Sequence, residues 1–450
     1  MSGVLIYLKE FFPKFKDLPN GEVENYVIET VMGTPYDRAS LEQIYSIVPS
    51  DYYPGLFQMS ERKDEPAFLL EENKVPFKKW LSQKFSKEVV QLCQNKLLNE
   101  KIKNIGDERL VSYCIEILEF KNKYNNYFVD LIINQEYSDM FRRIIMFLIM
   151  GSPFYIYNNQ LSFNTLGKKI VPLILKRTED YCLKDRLFQS IASGMIGMDI
   201  KERNISTAPI SLKSNLELDG QSVVKITEEL DKYIHSIDKI GIDCFEQYYD
   251  EVICGEYLNI AWFTDDYIES IFELKFIEEQ LYINETLSFT LIPRYDSYSN
   301  DASYNDIKEM LELDELQKLK KYFKNGRFKI CRNGMDLSTI DFYRMSSELY
   351  SIVKETDICV ISGARAFEMT QGLKKVVYYT GIAVCKAYTE SITGFSRNSG
   401  KLVFLRQGAG ERSFKGFRDR AWRKIKDGNE IINVAKITAK EYYEEKKNDK

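Results

Sequence analysis

The sequence predicts an α/β protein, with a Rossmann-like, three-layer α/β/α domain and a mostly parallel sheet, preceded by a mainly helical domain. From residue 258 onward, short apolar runs alternate with amphipathic stretches, which is typical of parallel strands joined by helices. Over residues 76–195, apolar residues recur at spacings of three and four, and proline and glycine are scarce. That periodicity is typical of helices.

The domain boundaries follow from changes in polarity and in hydrophobic periodicity along the sequence. We expect a helical domain over residues 1–205, a linker over residues 206–222, an α/β domain over residues 223–435 and a charged tail over residues 436–450. The linker stretch is polar, contains Pro209 and Gly220, and lacks helical periodicity. The tract PSDYYPGLFQMSERKDEP, before residue 76, predicts an irregular surface segment.

The elements of the α/β domain can be read in chain order. Residues 224–252 predict helix. The predicted strands are the runs LNIAWFTD, LSFTLIPRYD, RFKICRNG, DICVISGARA, VVYYTGIAVC and KLVFLRQG. Two amphipathic stretches, IESIFELKFIEEQL and FYRMSSELYSIVKE, predict helices between them.

Composition and charge exclude several classes of protein. The chain of 450 residues has a formal charge of −5, but residues 401–450 alone carry a net charge of +6. An acidic body with a basic tail argues against a general nucleic-acid binder. The single histidine, His235, lies in a stretch that predicts a surface helix position. Ser-His-Asp hydrolases, Cys-His hydrolases and His-rich zinc sites are therefore excluded within this chain.

The cysteines and the apolar runs indicate the cellular compartment in which we expect the protein. Eight cysteines include no CxxC pair, and most lie in apolar runs, so we expect reduced core residues of a cytoplasmic protein. The longest apolar run, IIMFLIMG, is too short to span a bilayer. No cationic leader precedes an apolar stretch at the amino terminus, so we expect neither secretion nor a membrane partner.

Unusual polar residues follow three of the predicted strands, and in parallel sheets ligands bind at these carboxyl ends. They are Asp265 and Asp266 after the first strand, Asp296, Asn300 and Asp301 after the second, and Gly363, Arg365 and Glu368 after a later one. Converging carboxylates are what Mg²⁺ or Mn²⁺ needs, although other divalent ions also accept oxygen ligands. The alternative is that the Asp-Asp and Asn-Asp pairs are turn formers and helix caps.

A second candidate segment follows the last predicted strand. The run LVFLRQGAGERSFKGFRDRAWRKIK contains a glycine loop and several cations, of which Arg406, Arg412 and Lys415 come first. Backbone amides and guanidinium groups there could hold a phosphate. A solvated basic helix face is the alternative. The loop also resembles the glycine motif of Rossmann methyltransferases, but that motif usually follows the first strand of its fold.

The order of these motifs resembles the DUF89 family of metal-dependent damage-control phosphatases. That family has D-N-x-G-E after a strand, then N-D-[VA]-[ST] and a later D, then K-G-x-x-N-x-E, then a K-C pair. The matching stretches here are TDDYIE, SNDASYND, SGARAFE and AVCK. The resemblance covers residues 259–386, and a helical region before an α/β/α domain also looks like that family.

The resemblance implies roles for individual residues. Asp265 and Asp301 fall on the family's metal-ligand aspartates, and Asp266 stands where the family has an asparagine ligand. Asn300, Ser303 and Asp306 complete the second block, and Glu269 and Glu368 fall on the glutamates of their motifs. The chain departs from the pattern at Ile268 for glycine, Ser362 for lysine, Ala366 for asparagine, and Cys385 and Lys386 in inverted order.

Our leading hypothesis is a metal-dependent hydrolase that acts on a small phosphorylated metabolite. Asp265, Asp266 and Asp301 would hold the metal, and Asp265, Asp301 and Arg365 would be catalytic. The expected substrate-binding residues are Glu269, Asn300, Ser362, Gly363, Arg365, Glu368, Arg406, Arg412 and Lys415. The alternatives are altered chemistry on the same scaffold, such as a carboxyl methyltransferase or a biosynthetic enzyme, and a non-catalytic metabolite-binding protein.

Overall fold

The structure is a computed structural model of the chain. It describes residues 2–27, 37–48, 158–201, 220–236, 239–294, 301–332, 340, 342, 345–363, 366–367, 370, 372–383 and 401–410. The expected irregular tract before residue 76, the periodic stretches over residues 76–157 and the charged tail lie outside these residues.

The first half of the described chain is helical. Its helices are α1 (Ser2–Phe11), α2 (Pro13–Lys16), α3 (Asn20–Tyr26), α4 (Leu41–Ile47), α5 (Asn158–Arg177), α6 (Leu183–Lys201) and α7 (Gly220–Ile234). Helix α4 begins with a capping box, in which Ser40 and Gln43 satisfy each other's backbone N–H groups. Helix α7 starts inside the range expected to be linker, at Gly220.

The second half combines strands and helices. The strands are β1 (Ile240–Asp243), β2 (Asn259–Phe263), β3 (Ser288–Ile292), β4 (Phe328–Ile330), β5 (Ile358–Ser362), β6 (Val376–Ala383) and β7 (Lys401–Gln407). The α-helices are α8 (Phe245–Tyr248), α9 (Tyr267–Ile283), α10 (Tyr304–Met310), α11 (Gln317–Lys324) and α12 (Ser347–Glu355). A π-helical turn, Tyr249–Ile253, follows α8, and a 3₁₀ turn, Asp314–Leu316, precedes α11.

The seven strands form one mixed, mostly parallel sheet, in the order β1-β7-β6-β5-β2-β3-β4. Strands β2 to β6 are parallel to one another, and β7 pairs antiparallel with β6 and parallel with β1. The chain therefore moves from β2 to β3 and β4 on one side, and then crosses to β5 on the other side of β2. Open α/β sheets bind ligands at such a change of direction, beyond the carboxyl ends of the strands.

Helices from both halves of the chain pack together. Helix α9 follows β2 and is buried nearly all round, because α5, α6 and α11 cover it on the sides that the sheet does not. Helix α6 also contacts β6 and β7, and α12 contacts β2 and α4. One hydrophobic core accordingly includes residues of α4 to α7 and of the sheet.

The observed elements confirm the predicted α/β class, with three local corrections. Residues 224–252 are not one helix, because the short strand β1 interrupts them after Ile234. Helix α12 starts five residues later than predicted, because the Ser346 hydroxyl caps it by accepting from the Leu349 N–H. Among the described cysteines, Cys244, Cys331 and Cys359 are buried, but Cys182 and Cys254 are exposed, so the core prediction is wrong for these two.

Two further sequence expectations concern the surface. His235 lies just beyond α7 and is exposed, with Nδ1 bonded to the Asp231 carbonyl at 2.8 Å. Among the described helices, none is both long enough and apolar enough to cross a membrane.

Candidate functional site

Three aspartates meet where β2 and β3 end. Asp265 and Asp266 follow β2 directly, and Asp301 follows the loop after β3. Asp265, Asp266 and Asp301 each place one carboxylate oxygen within 4.8 Å of the others. Asp301 is buried, and the other two are half-buried. Adjacent parallel strands deliver their following loops to the same edge of the sheet, and this is why residues 36 positions apart come together.

Backbone pairing holds this cluster in register. Asp266 and Asp301 form an antiparallel bridge, and the Ala302 N–H donates to the Asp265 carbonyl at 2.8 Å. On the other side of the same segment, the Arg294 N–H donates to the Ala302 carbonyl at 3.1 Å. Residues 301–303 are thus bound between the two strand ends, so the carboxylates approach each other on a fixed backbone.

Arg294 is a further member of this site, and it was not predicted. Its Nη2 donates to Asp265 Oδ1 at 3.0 Å and its Nε donates to Asp301 Oδ2 at 3.3 Å. The side chain is only 3% exposed. A buried guanidinium between two carboxylates offsets their repulsion. The signal in the sequence was a single charged residue directly after the apolar run SFTLIP, but only the fold places it beside Asp265.

Gly363, an expected substrate contact, lies against the cluster from the end of β5. Its φ is +94°, and an ideal Cβ there would be 2.1 Å from Asp265 Oδ2. Its N–H donates to the Thr380 carbonyl at 2.9 Å, which fixes this backbone to β6. Residue 363 is glycine for two reasons: the backbone is left-handed, and a side chain would displace the Asp265 carboxylate.

Two glutamates are buried beneath the aspartates, on the first turns of α9. Burial and the charges of Glu273, Asp265, Asp266 and Asp301 raise the pKa of Glu269 well above its ordinary value. Burial raises the pKa of Glu273 to about 7, against hydrogen bonds that favour its ionised form. Their spacing of four residues on one helix face was a usable signal for Glu273, which sequence analysis missed.

Glu269 was an expected substrate contact, and the structure places it between α9 and α6. The residue is 5% exposed, and its Oε2 lies 3.2 Å from the position that a Cβ on Gly194 would take. Among the described residues, its Oε1 has no hydrogen-bond partner although it is fully buried. Burial and the neighbouring carboxylates both favour the protonated form of Glu269, which reduces the negative charge at this edge of the sheet.

Ser362 does not face an open site. It is buried, its hydroxyl donates to Glu273 Oε1, and the Thr380 hydroxyl donates to it at 3.1 Å. The Thr264 hydroxyl donates to the other Glu273 oxygen. The prediction that Ser362 contacts substrate is therefore corrected, because the hydroxyl is committed to this internal network.

Arg406 lies far from the cluster along the strand direction. Strand β7 runs antiparallel to β6, so Arg406 pairs with Tyr378, near the start of β6. Its Nε donates to Glu251 Oε2 at 2.7 Å, and Glu251 also accepts from the Tyr378 hydroxyl. The expected phosphate contact is corrected for Arg406: it stabilises the opposite edge of the sheet.

The remaining predicted residues divide into two groups. Ser303 and Asp306 form the capping box of α10, in which the Ser303 N–H donates to Asp306 Oδ2 at 2.8 Å. Both side chains are therefore used to cap a helix. The positions of the other expected contacts lie outside the described residues: Asp296, Asn300, Arg365, Glu368, Cys385, Lys386, Arg412 and Lys415.

The residues present fit a hard divalent cation. The three closely spaced ligand groups are all carboxylates, and Mg²⁺ and Mn²⁺ prefer oxygen ligands. Arg294 bonds to one oxygen of Asp265 and one of Asp301, but each carboxylate oxygen can accept more than one contact. The aspartates and Arg294 together carry a charge of −2 when ionised, which a divalent cation would balance.

The fold and the cluster define an α/β protein with a carboxylate site at the carboxyl edge of its sheet. A DUF89 family protein from Pyrococcus horikoshii has a similar structure, with a TM-score of 0.52, 16% sequence identity, and coverage of 75% of this chain and 99% of that chain. No family model and no curated protein matches the sequence. The structural similarity shows the DUF89 fold, and it confirms the resemblance at that level.

Proposed function

We propose that this protein is a metal-dependent hydrolase of phosphate esters. The observation that carries the proposal is the convergence of Asp265, Asp266 and Asp301, each with an oxygen within 4.8 Å of the others, at the carboxyl edge of the sheet. Three carboxylates at this distance repel one another strongly when ionised. A bound divalent cation is the simplest reason to keep all three.

Different residues of the chain would have different roles at this site. Asp265, Asp266 and Asp301 would bind Mn²⁺ or Mg²⁺, and Arg294 would hold the Asp265 and Asp301 carboxylates in place. A cation bound there would polarise a phosphoryl oxygen and lower the pKa of an attacking water. Gly363 would keep the space that the Asp265 carboxylate needs.

Phosphate esters are the proposed substrates for two reasons. The DUF89 fold is shared with this chain, and the motifs after β2, β3 and β5 resemble those of the damage-control phosphatases. Small phosphorylated metabolites are therefore the substrate class to screen. Arg365, which follows β5, and Arg412 and Lys415, which follow β7, remain proposed phosphate contacts because their side chains are cationic.

The first test is calorimetric titration of metal-stripped protein with Mn²⁺ and Mg²⁺. The variants are Asp265→Ala and Asp301→Ala, and the control is Asp243→Ala. Asp243 is a matched control because its side chain is 24% exposed, against 26% for Asp265, and it also has a cationic partner, Lys184. It lies on the edge strand β1, and three other strands separate β1 from β2.

The proposal expects stoichiometric binding by the wild type and by Asp243→Ala, and none by the two cluster variants. Such a result justifies a screen of phosphate esters with the loaded protein. If the wild type binds neither ion, the metal-dependent hydrolase is excluded. If the wild type binds metal but hydrolyses nothing in a broad panel, the catalytic part of the proposal fails.

A second candidate is a non-catalytic metabolite-binding protein. The ion pairs of Arg294 with Asp265 and Asp301 favour it, since they offset part of the cluster's charge without any metal. Binding of unhydrolysed phosphorylated metabolites, detected by thermal shift, together with failure to bind Mn²⁺ or Mg²⁺, would support this candidate over the hydrolase.

A further inference from the structure

We infer that Arg294 binds an anionic oxygen of the substrate through Nη1, while Nε and Nη2 hold the two aspartates. The inference rests on the proposed function and deepens it, because it identifies a further residue that binds the phosphoryl group. It also assigns a cationic role to a position that neither the motifs nor the resemblance singled out.

The hydrogen bonds of the guanidinium are the first step of the argument. A guanidinium has five N–H donors. The Nε–H is used by Asp301 Oδ2, and one Nη2–H is used by Asp265 Oδ1. Within the described residues, nothing accepts from Nη1. The side chain is 3% exposed, and a buried cationic donor group needs an acceptor, which is either water or a ligand oxygen.

The rigidity of Arg294 is the second step. Its N–H donates to the Ala302 carbonyl, and its carbonyl accepts from the Tyr304 N–H, both at 3.1 Å. Its guanidinium is fixed by two carboxylates at the far end of the side chain. An arginine held at both ends is preorganised, so it loses little conformational entropy when an oxyanion binds.

Charge is the third step. Three ionised aspartates, one divalent cation and Arg294 add up to zero, whereas the same site without the arginine would carry −1. A phosphate anion would be repelled by the second arrangement. In the motif resemblance, a lysine stands where this chain has Ser362, and the Ser362 hydroxyl is used by Glu273. Arg294 therefore supplies a positive charge that this chain lacks at position 362.

Titration of the Mn²⁺-loaded protein with inorganic phosphate tests the inference. The variants are Arg294→Lys, which keeps the positive charge but loses the planar set of guanidinium N–H donors, and Arg294→Ala. The control is Arg327→Lys, because the Arg327 guanidinium donates to the Leu281, Asn284 and Leu287 carbonyls, near the carboxyl-terminal end of α9 and the start of β3. A separate Mn²⁺ titration and a thermal melt of each variant establish that it is loaded and folded.

We expect phosphate binding at least 10-fold weaker in Arg294→Lys and undetectable in Arg294→Ala. Binding by Arg327→Lys should equal that of the wild type, and Mn²⁺ binding by the Arg294 variants should be as tight as in the wild type or tighter. Equal phosphate binding by the wild type and a folded, loaded Arg294→Lys protein would mean that water satisfies Nη1, and the inference would fail.

Two other outcomes separate this inference from the proposed function. If the wild type binds Mn²⁺ but the loaded protein does not bind phosphate, the inference is wrong while the metal site stands. If the wild type does not bind a divalent cation at all, the proposed function is wrong, and the inference falls with it. If Arg294→Ala does not fold, Arg294→Lys decides the question.

Discussion

Asp265 lies so close to Gly363 that no side chain can be accommodated at residue 363 while the carboxylate keeps its position. An ideal Cβ on Gly363 would be 2.1 Å from Asp265 Oδ2 and 2.6 Å from Asp265 Cγ. The contact joins the end of β5 to the first carboxylate after β2. The geometry of the acidic cluster therefore depends on a backbone position in a strand that follows Asp265 by almost a hundred residues in the sequence.

Gly363→Ala should destabilise the protein and weaken divalent-cation binding. The backbone at φ +94° is unfavourable for alanine, and the methyl group would also displace Asp265. Gly326→Ala is a matched control, because Gly326 has φ +81° and nothing within 4 Å of its Cβ position. We expect a loss of about 1 kcal/mol in the control and about 2–3 kcal/mol in Gly363→Ala, measured by urea denaturation. Equal losses, with unchanged Mn²⁺ binding in both, would contradict the close contact.

Arg294→Met should cost about 3–5 kcal/mol in the metal-free protein, because it removes the partner of two buried or half-buried carboxylates. Added Mn²⁺ should restore part of this loss, since a cation bound by the aspartates stabilises the folded state. The measurement is thermal and urea denaturation with and without Mn²⁺. Arg327→Met, which loses three bonds to carbonyls at a distance from the cluster, should show no such recovery.

The stability of the protein should fall as pH rises from about 4.5 to about 7, because of Glu273. Burial raises its folded-state pKa from the ordinary value of 4.5 to about 7. The folded state thus holds a proton that the unfolded state has lost, so the contribution is fully present below pH 4.5 and is lost as pH rises to about 7. The full loss is on the order of 3 kcal/mol.

Urea denaturation between pH 5 and pH 8 checks this expectation, with Glu273→Gln as the comparison. Glutamine keeps the shape and does not titrate, so the variant should show a smaller decrease over this range than the wild type. Glu251→Gln, at the opposite edge of the sheet, is the control for a general effect of removing a carboxylate. Identical pH dependence in the wild type and Glu273→Gln would show that Glu273 is ionised throughout.

Ser303→Ala should reduce stability by about 1 kcal/mol and leave divalent-cation binding unchanged. Ser303 caps α10, with the Asp306 N–H donating to its hydroxyl at 3.2 Å, and it is not one of the three clustered aspartates. Ser346→Ala, at the equivalent cap of α12, should cost a similar amount. Thermal melts and Mn²⁺ titration measure the two effects separately. A large loss of Mn²⁺ affinity in Ser303→Ala alone would instead place Ser303 in the site.

Much of the fold was predictable, because the local pattern and the tertiary environment agree. Strands β2 and β5 are continuous apolar runs, as expected for strands covered on both faces. Strand β1 was missed because four residues, IGID, are too short to show a period among helical neighbours. The late start of α12 was missed because Ser346, within a helix-like pattern, uses its hydroxyl as a cap.

By itself, the sequence determined the class of fold and the group of aspartates, because strand-forming runs and the polar residues that end them are local features. Only the tertiary structure decided which residues from distant parts of the sequence contact these aspartates. It directed Ser362 into the internal network of Glu273, placed Arg406 at the wrong edge of the sheet for a phosphate contact, and brought Arg294 between Asp265 and Asp301. The physical reason is that the order and direction of the strands decide which side chains lie at the same edge of the sheet. Strands pair with segments that are distant in the sequence, and the local sequence of one strand does not identify its partner.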